Sequence, residues 1–116
     1  VYHYLPHTHE LELLRRGDYS RDLERACLDQ PWVGGAAANI VLTAVFERTT
    51  SYYGRRGIGY VYMEAGHAGQ NIYLVAEALG LGTVAIGAFY DEEVAGVLGL
   101  SGGEKPLYIF PIGYHR

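Results

Sequence analysis

One segment governs what this chain can fold into. From about Ile58 to Leu79, the residues Val61, Ala65, Ala68, Ile72, Val75 and Leu79 recur at steps of four and three, the period of one helical face. Gly80 follows as a helix stop. One such stripe is enough to cover a sheet. The opposite side, however, carries Tyr60, Met63, Gly66, Tyr73 and Ala76 with few charges, and a helix apolar nearly all round needs burial on more than one side. With 116 residues there is room for one small domain, residues 1–116, and too little chain to enclose such a helix fully. The helix is therefore expected to be the main buried element and to lie at or beside a dimer interface. Gly66, Ala68 and Gly69 would admit the close approach of another helix.

The flanking segments read as a mixed sheet. Val1 to Leu5 and Leu11 to Leu14 alternate as two short strands around the turn Pro6-His7-Thr8-His9. Asp18 or Ser20 is placed to cap a helix running to about Leu28, which Gln30-Pro31-Trp32 breaks. Asn39 to Phe46 is almost wholly apolar, as a strand buried on both faces would be. Glu47 to Tyr53 is ambiguous and compatible with a short helix, and Gly54-Arg55-Arg56-Gly57 reads as a loop. Thr83 to Phe89 is expected as a strand, Asp91-Glu92-Glu93 as the start of a short helix, and Leu107 to Ile112 as a final strand. The order β-β-α-β-α-β-α-β predicts an α/β (α+β) domain.

Composition narrows the function classes. Apolar residues make up 49% and charged residues 19%, which suits a packed core. The net charge of −4 argues against a nucleic-acid backbone as partner. Cys27 has no second cysteine to pair with, which favours a reducing, cytoplasmic setting. No apolar run reaches the length of a membrane span, and no secretory signal is visible. Val1-Tyr2-His3-Tyr4-Leu5 alternates from the first residue, without an initial methionine, so further sequence is expected upstream.

Four constellations merit weighing. Glu64, His67 and Asn71 share one helix face within about 60°. One Glu-x-x-His without a helical bundle points to a buried, hydrogen-bonded polar seam rather than a metal site. His3, His7 and His9 around the first turn read as solvated, so no metal is expected. Gly80-Leu81-Gly82-Thr83-Val84-Ala85 matches the dinucleotide pattern, but a helix precedes it and a strand follows, the reverse of what the motif requires. Gly82 is then a turn residue, and Cys27, on an apolar stripe, a buried inert thiol. Gly87-Ala88, at the end of an expected strand, has two readings of equal weight: a bulge or tight crossing, or a place where a flat ligand approaches the backbone.

Taken together, Glu64-Ala65-Gly66-His67-Ala68-Gly69-Gln70-Asn71-Ile72-Tyr73-Leu74, Ala76-Glu77-Ala78-Leu79-Gly80-Leu81-Gly82 and Ala85-Ile86-Gly87-Ala88-Phe89 resemble the flavin-dependent nitroreductase superfamily, in particular its SagB-type dehydrogenase branch. Tyr2-His3-Tyr4, the Leu11 to Gly17 arm and Pro111-Ile112-Gly113 fit the same branch. The resemblance covers essentially the whole chain. It implies a nitroreductase-like mixed sheet packed against a long central helix, an obligate homodimer, and FMN held across the subunit interface. By resemblance, the backbone of Ile86, Gly87 and Ala88 is the cofactor-binding segment against the isoalloxazine.

Two departures accompany the resemblance. The upstream half, which in the family carries the phosphate-binding basic and serine residues, is absent, so the chain resembles the C-terminal portion of a longer domain. Azoline-oxidising members carry a Lys-Tyr pair before the long helix. Tyr53 matches that tyrosine and is the candidate catalytic residue for proton transfer, but Tyr52 stands in the lysine position. A protonated phenol is neutral and cannot supply an ammonium's charge. Gly59 likewise replaces an arginine common in the branch. The resemblance implies an FMN-dependent oxidoreductase acting on a nitro compound, a quinone or an azoline-containing peptide. The alternative is a shortened, non-catalytic paralogue that dimerises or binds a partner.

Overall fold

The structure is a computed structural model and describes residues 1–115. Its elements in chain order are β1 (Tyr2–Leu5), β2 (Glu10–Leu13), α1 (Ser20–Ala26), α2 (Pro31–Gly34), β3 (Ala38–Val45), α3 (Glu47–Tyr53), α4 (Arg56–Ala78), β4 (Leu81–Thr83), α5 (Asp91–Leu98) and β5 (Glu104–Tyr114). The expected mixed α/β architecture is present. β3, β5 and β4 form an antiparallel sheet with β5 in the middle, while β1 and β2 form a separate two-stranded hairpin.

The alternation of β5 divides the molecule into layers. Ile109 and Phe110 are both fully buried, but successive strand residues face opposite ways. Ile109 belongs to a cluster with Leu23, Ala26 and Cys27 of the α1 region, Val33 of α2, Ile86 and Val94 of α5. Phe110 turns to the other face, where its ring lies edge-on to Tyr73 of α4. There a Cβ built on Gly69 would come within 2.9 Å of the Phe110 ring tip. Gly69 is thus a glycine because the helix must approach the sheet, which corrects the expectation that it serves a helix–helix crossing. Gly66 has nothing within 4 Å of its Cβ position and stays open.

The long helix itself is not the main buried element of the chain. Of its residues Gly57, Gly69 and Ala76 are buried, whereas Ile58, Tyr62, Met63, Leu74 and Val75 are exposed, as is Leu79 just past its end. The hydrophobic period located the helix correctly, but only a narrow strip of it meets the sheet. The helix also starts two residues earlier than the pattern placed it, leaving Gly54 and Arg55 as the link from α3. Gly57 permits that sharp elbow, because a Cβ there would press on the Thr49 backbone at 3.2 Å.

Other differences have local causes. Pro31 does not simply break a helix: it is the first residue of α2, where its missing N–H costs nothing. α1 ends earlier, and Leu28 and Asp29 take positive φ. The Asp18 carboxylate accepts from the Ser20 hydroxyl and N–H rather than capping α1, and those bonds lower its pKa. The expected strand Thr83 to Phe89 is displaced. Gly80, at φ +72°, turns the chain at once, so Leu81 to Thr83 pair with Tyr114 to Ile112, and Gly82 is a strand residue rather than a turn. The ladder lapses when the Tyr73 hydroxyl accepts from the Ala85 N–H at 2.6 Å, and resumes as a single bridge at Ile86. The last strand is longer than expected. Pro106 lies inside it, beside a register shift in which Thr43 pairs with Pro106 after Leu42 pairs with Tyr108.

Candidate functional site

The site is built outward from Ile86. This side chain is buried, and its backbone is locked to β5 by two hydrogen bonds, N–H to the Ile109 carbonyl at 2.8 Å and carbonyl from the Ile109 N–H at 3.0 Å. The chain then leaves the sheet, and Gly87 and Ala88 are exposed. The Ala88 carbonyl accepts from Gln30 Nε2 at 3.1 Å, and the same amide group donates to the Cys27 carbonyl at 2.9 Å. Two residues on, the Tyr90 N–H donates to the Ala26 carbonyl at 2.9 Å. A short exposed stretch is therefore held rigid at both ends.

Within that stretch, the Gly87 and Ala88 N–H groups have no acceptor among the described residues. The glycine is also not required by the chain. A Cβ at Gly87 would meet Tyr108 Cε1 at an ordinary 3.7 Å, and its φ is not in the left-handed region. No tight crossing and no bulge explains the small residue. The backbone there is open to solvent, and the chain itself does not require a glycine. The segment fits a flat ring with hydrogen-bond acceptors at its edge, as a flavin has.

A phosphate is less well provided for. Arg15 is engaged with the Gly96 and Val97 carbonyls and the Tyr19 ring. Arg21 and Arg25 pair with Glu24 and Asp22, and Arg56 donates to the Tyr60 hydroxyl at 3.1 Å. These four guanidinium groups are thus each engaged by the chain itself.

Tyr53 ends α3 and is 55% exposed. It stands in a chain of edge-to-face rings, 4.7 Å from Tyr52 and 5.2 Å from Tyr60. None of these contacts is shared with Gln30, Tyr108 or Ile109, which hold the Ile86-Ala88 segment. Tyr60 opens into a groove of about 460 Å³ along α4, lined further by Met63, Glu64, His67, Ala68 and Asn71. Glu64, His67 and Asn71 are exposed there without partners among the described residues, not a buried hydrogen-bonded seam as expected.

The remaining candidates carry no chemistry of their own. Tyr4 and His9 share a hydrogen bond at 2.7 Å, and His3 lies 3.9 Å from Glu12. Cys27 is fully buried, and burial pushes its thiol up to about 11. Sequence reasoning missed Gln30 and Tyr73, the two side chains that clamp the backbone on either side of Ile86. Neither sits in a local pattern, because each acts on a segment distant in sequence.

The chain has recognisable relatives. The sequence profile of the nitroreductase family matches residues 2–114. A nitroreductase-like protein of Methanocaldococcus jannaschii is 42% identical over 113 residues, which is 97% of this chain and 56% of that protein. The chain thus spans little more than half the length of this curated relative. A crystal structure of a nitroreductase-like protein from Anabaena variabilis superposes with a TM-score of 0.93 at 38% identity, covering 99% of this chain and 24% of the other. The E. coli microcin synthetase McbBCD complex, solved with truncated pro-MccB17 bound, gives 0.88 at 29% identity, over 99% of this chain and 44% of that one.

Proposed function

The chain belongs to the nitroreductase family, and from that premise we propose that it carries the ring-facing part of an FMN-dependent oxidoreductase of the SagB-like dehydrogenase type. In this reading, residues 1–116 are the C-terminal portion of a nitroreductase-like FMN domain that works as a homodimer in the cytoplasm. Bound flavin supplies two-electron hydride chemistry toward a nitro compound, a quinone or an azoline-containing peptide.

The observation that carries the reading is the clamped, exposed Gly87-Ala88 backbone, whose two N–H groups have no acceptor among the described residues. Gly87 leaves a face free for a ring to lie against, and the two amides are positioned to donate to its edge. Burial of Ile86 and the Gln30 bond keep that edge from drifting. Tyr53 is the proton donor of this proposal. Since it shares no contacts with the segment in one chain, it and Gly87 would meet across the dimer. The exposed Ile58, Tyr62, Met63 and Leu74 of α4 give that dimer an apolar contact.

The test is an FMN titration of the 116-residue chain followed by flavin fluorescence. Weak, saturable binding is expected, because no basic cradle receives the phosphate, and Gly87→Val should abolish it without lowering Tm. Submicromolar affinity would reveal a phosphate site in this chain, and an unaffected Gly87→Val variant would move the ring elsewhere. One observation favours the second reading, a non-catalytic paralogue: the basic side chains near α1 are already occupied by other partners. Purified protein without yellow colour, and without flavin uptake at any concentration, would decide for it.

A further inference from the structure

The hairpin β1–β2 stands apart from the sheet, and every residue of β2 is exposed. Its register pairs Tyr2 with Leu13, His3 with Glu12, Tyr4 with Leu11 and Leu5 with Glu10. Alternation then sorts the side chains. Tyr2, Tyr4, Leu11 and Leu13 form one continuous apolar face, and His3, Leu5, Glu10 and Glu12 lie on the other, with His3 3.9 Å from Glu12. The four apolar residues are 43–64% exposed.

The backbone is sorted in the same way. The Leu14 N–H donates to the Val1 carbonyl at 2.9 Å, making Val1 and Leu14 a hydrogen-bonded pair. Bonded and non-bonded pairs alternate along an antiparallel ladder, so Tyr2–Leu13 and Tyr4–Leu11 are non-bonded pairs. The N–H and C=O groups of Leu11 and Leu13 consequently point away from β1, along a free edge. A two-stranded hairpin is marginal in water and becomes stable with a third strand over an apolar face.

We propose that the β2 edge is a docking site for an extended segment of a peptide substrate, added as a third strand. This rests on the reading above and names the peptide as its substrate class. Two features select a short peptide over a second copy of the chain. The apolar face offers on the order of 400 Å², about half of what each partner contributes to a stable protein interface, yet enough for a transient strand. Glu10 and Glu12 place two carboxylates on the opposite face, so the complementary strand alternates apolar residues with lysine or arginine. The arm is fixed to the rest of the site. Arg15, at its root, donates to the Gly96 and Val97 carbonyls at the end of α5. α5 begins three residues after Ala88 and spans about 12 Å, so a docked peptide is tethered at a set distance from the ring-facing segment.

The probe is a fluorescent decapeptide of alternating valine and lysine, measured by anisotropy with the 116-residue chain. Saturable binding is expected, weakened at least tenfold by N-methylation of every second peptide amide and by Leu11→Lys. The double variant Glu10→Lys, Glu12→Lys should shift preference to an alternating valine–glutamate peptide. Leu11 is exposed, so circular dichroism of its variant should match native. FMN titration of the same variants should be unchanged, which separates a failure of the arm from a failure of the flavin reading. Equal binding of the N-methylated peptide, or no saturation at millimolar peptide, overturns the proposal. So does sedimentation showing a dimer that Leu11→Lys dissolves, since the arm's occupant is then a second copy.

Discussion

Two glycines three residues apart on α4 make a matched pair of perturbations. Alanine at either position removes the conformational freedom of glycine in a helix interior, a gain of about 0.5–1 kcal/mol. At Gly66 nothing else changes, because its Cβ position is open. At Gly69 the new methyl falls 2.9 Å from Phe110 Cζ. That ring cannot swing away cheaply. It is fully buried and braced edge-on by Tyr73 at 5.9 Å and Tyr108 at 5.5 Å. Overpacking of this kind costs about 1–3 kcal/mol. Gly66→Ala should therefore stabilise the protein, and Gly69→Ala should be between neutral and about 2 kcal/mol less stable. The two should differ by roughly 1–3 kcal/mol, the overpacking term alone. Urea melts with a common m-value measure this as a difference in midpoint. Equal midpoints for the two variants would refute the claim that Gly69 sets the distance between helix and sheet.

Further outcomes follow from the same geometry. Cys27, whose folded pKa is raised, adds stability that is fully present below the unfolded thiol value near 9 and is lost as the pH rises through about 11. The loss should be on the order of 2 kcal/mol, so urea midpoints at pH 8 and 10.5 should lie further apart for the native protein than for Cys27→Ala. Tyr52→Lys should leave stability within about 0.5 kcal/mol, because Tyr52 is 81% exposed, and should raise flavin reduction by an azoline peptide in a competent enzyme. A large drop in Tm would instead make its contact with Tyr53 a structural anchor.

Much of the fold was legible because it rests on periodicity. The α4 stripe, the hairpin alternation and the acidic start of α5 are local patterns, and each produced its element. The sheet's edge strand was not, because Thr83 to Phe89 has strand composition, and what interrupts it is the hydroxyl of Tyr73, a turn of chain away. Burial of α4 was overestimated for a related reason: a hydrophobic stripe says that cover is needed, not that the same chain provides it. At the site, composition could flag Gly87 but left its two meanings level. The space around its Cβ position shows only that the chain does not itself require a glycine there. Tyr53 and the Ile86-Ala88 segment are proposed by resemblance, and no pattern in the sequence says how they would be brought together.

The order of strands in the sheet bears on how the protein is made. β3 and β4 each pair with β5, and β5 follows both in chain order. Val45 must wait for Glu104, 59 positions on by residue number, before it has a neighbour. At a synthesis rate of about 5–20 residues per second, that is roughly 3–12 seconds. During that interval Ile40, Val41 and Leu42 lie on an uncharged strand with neither edge paired, a template for the wrong partner. The pairing cannot begin to pay back its loop entropy until β5 has left the ribosome. Nascent chains of this protein should thus be clients of holding chaperones, and the sheet should close late, in a single step, when its middle strand arrives.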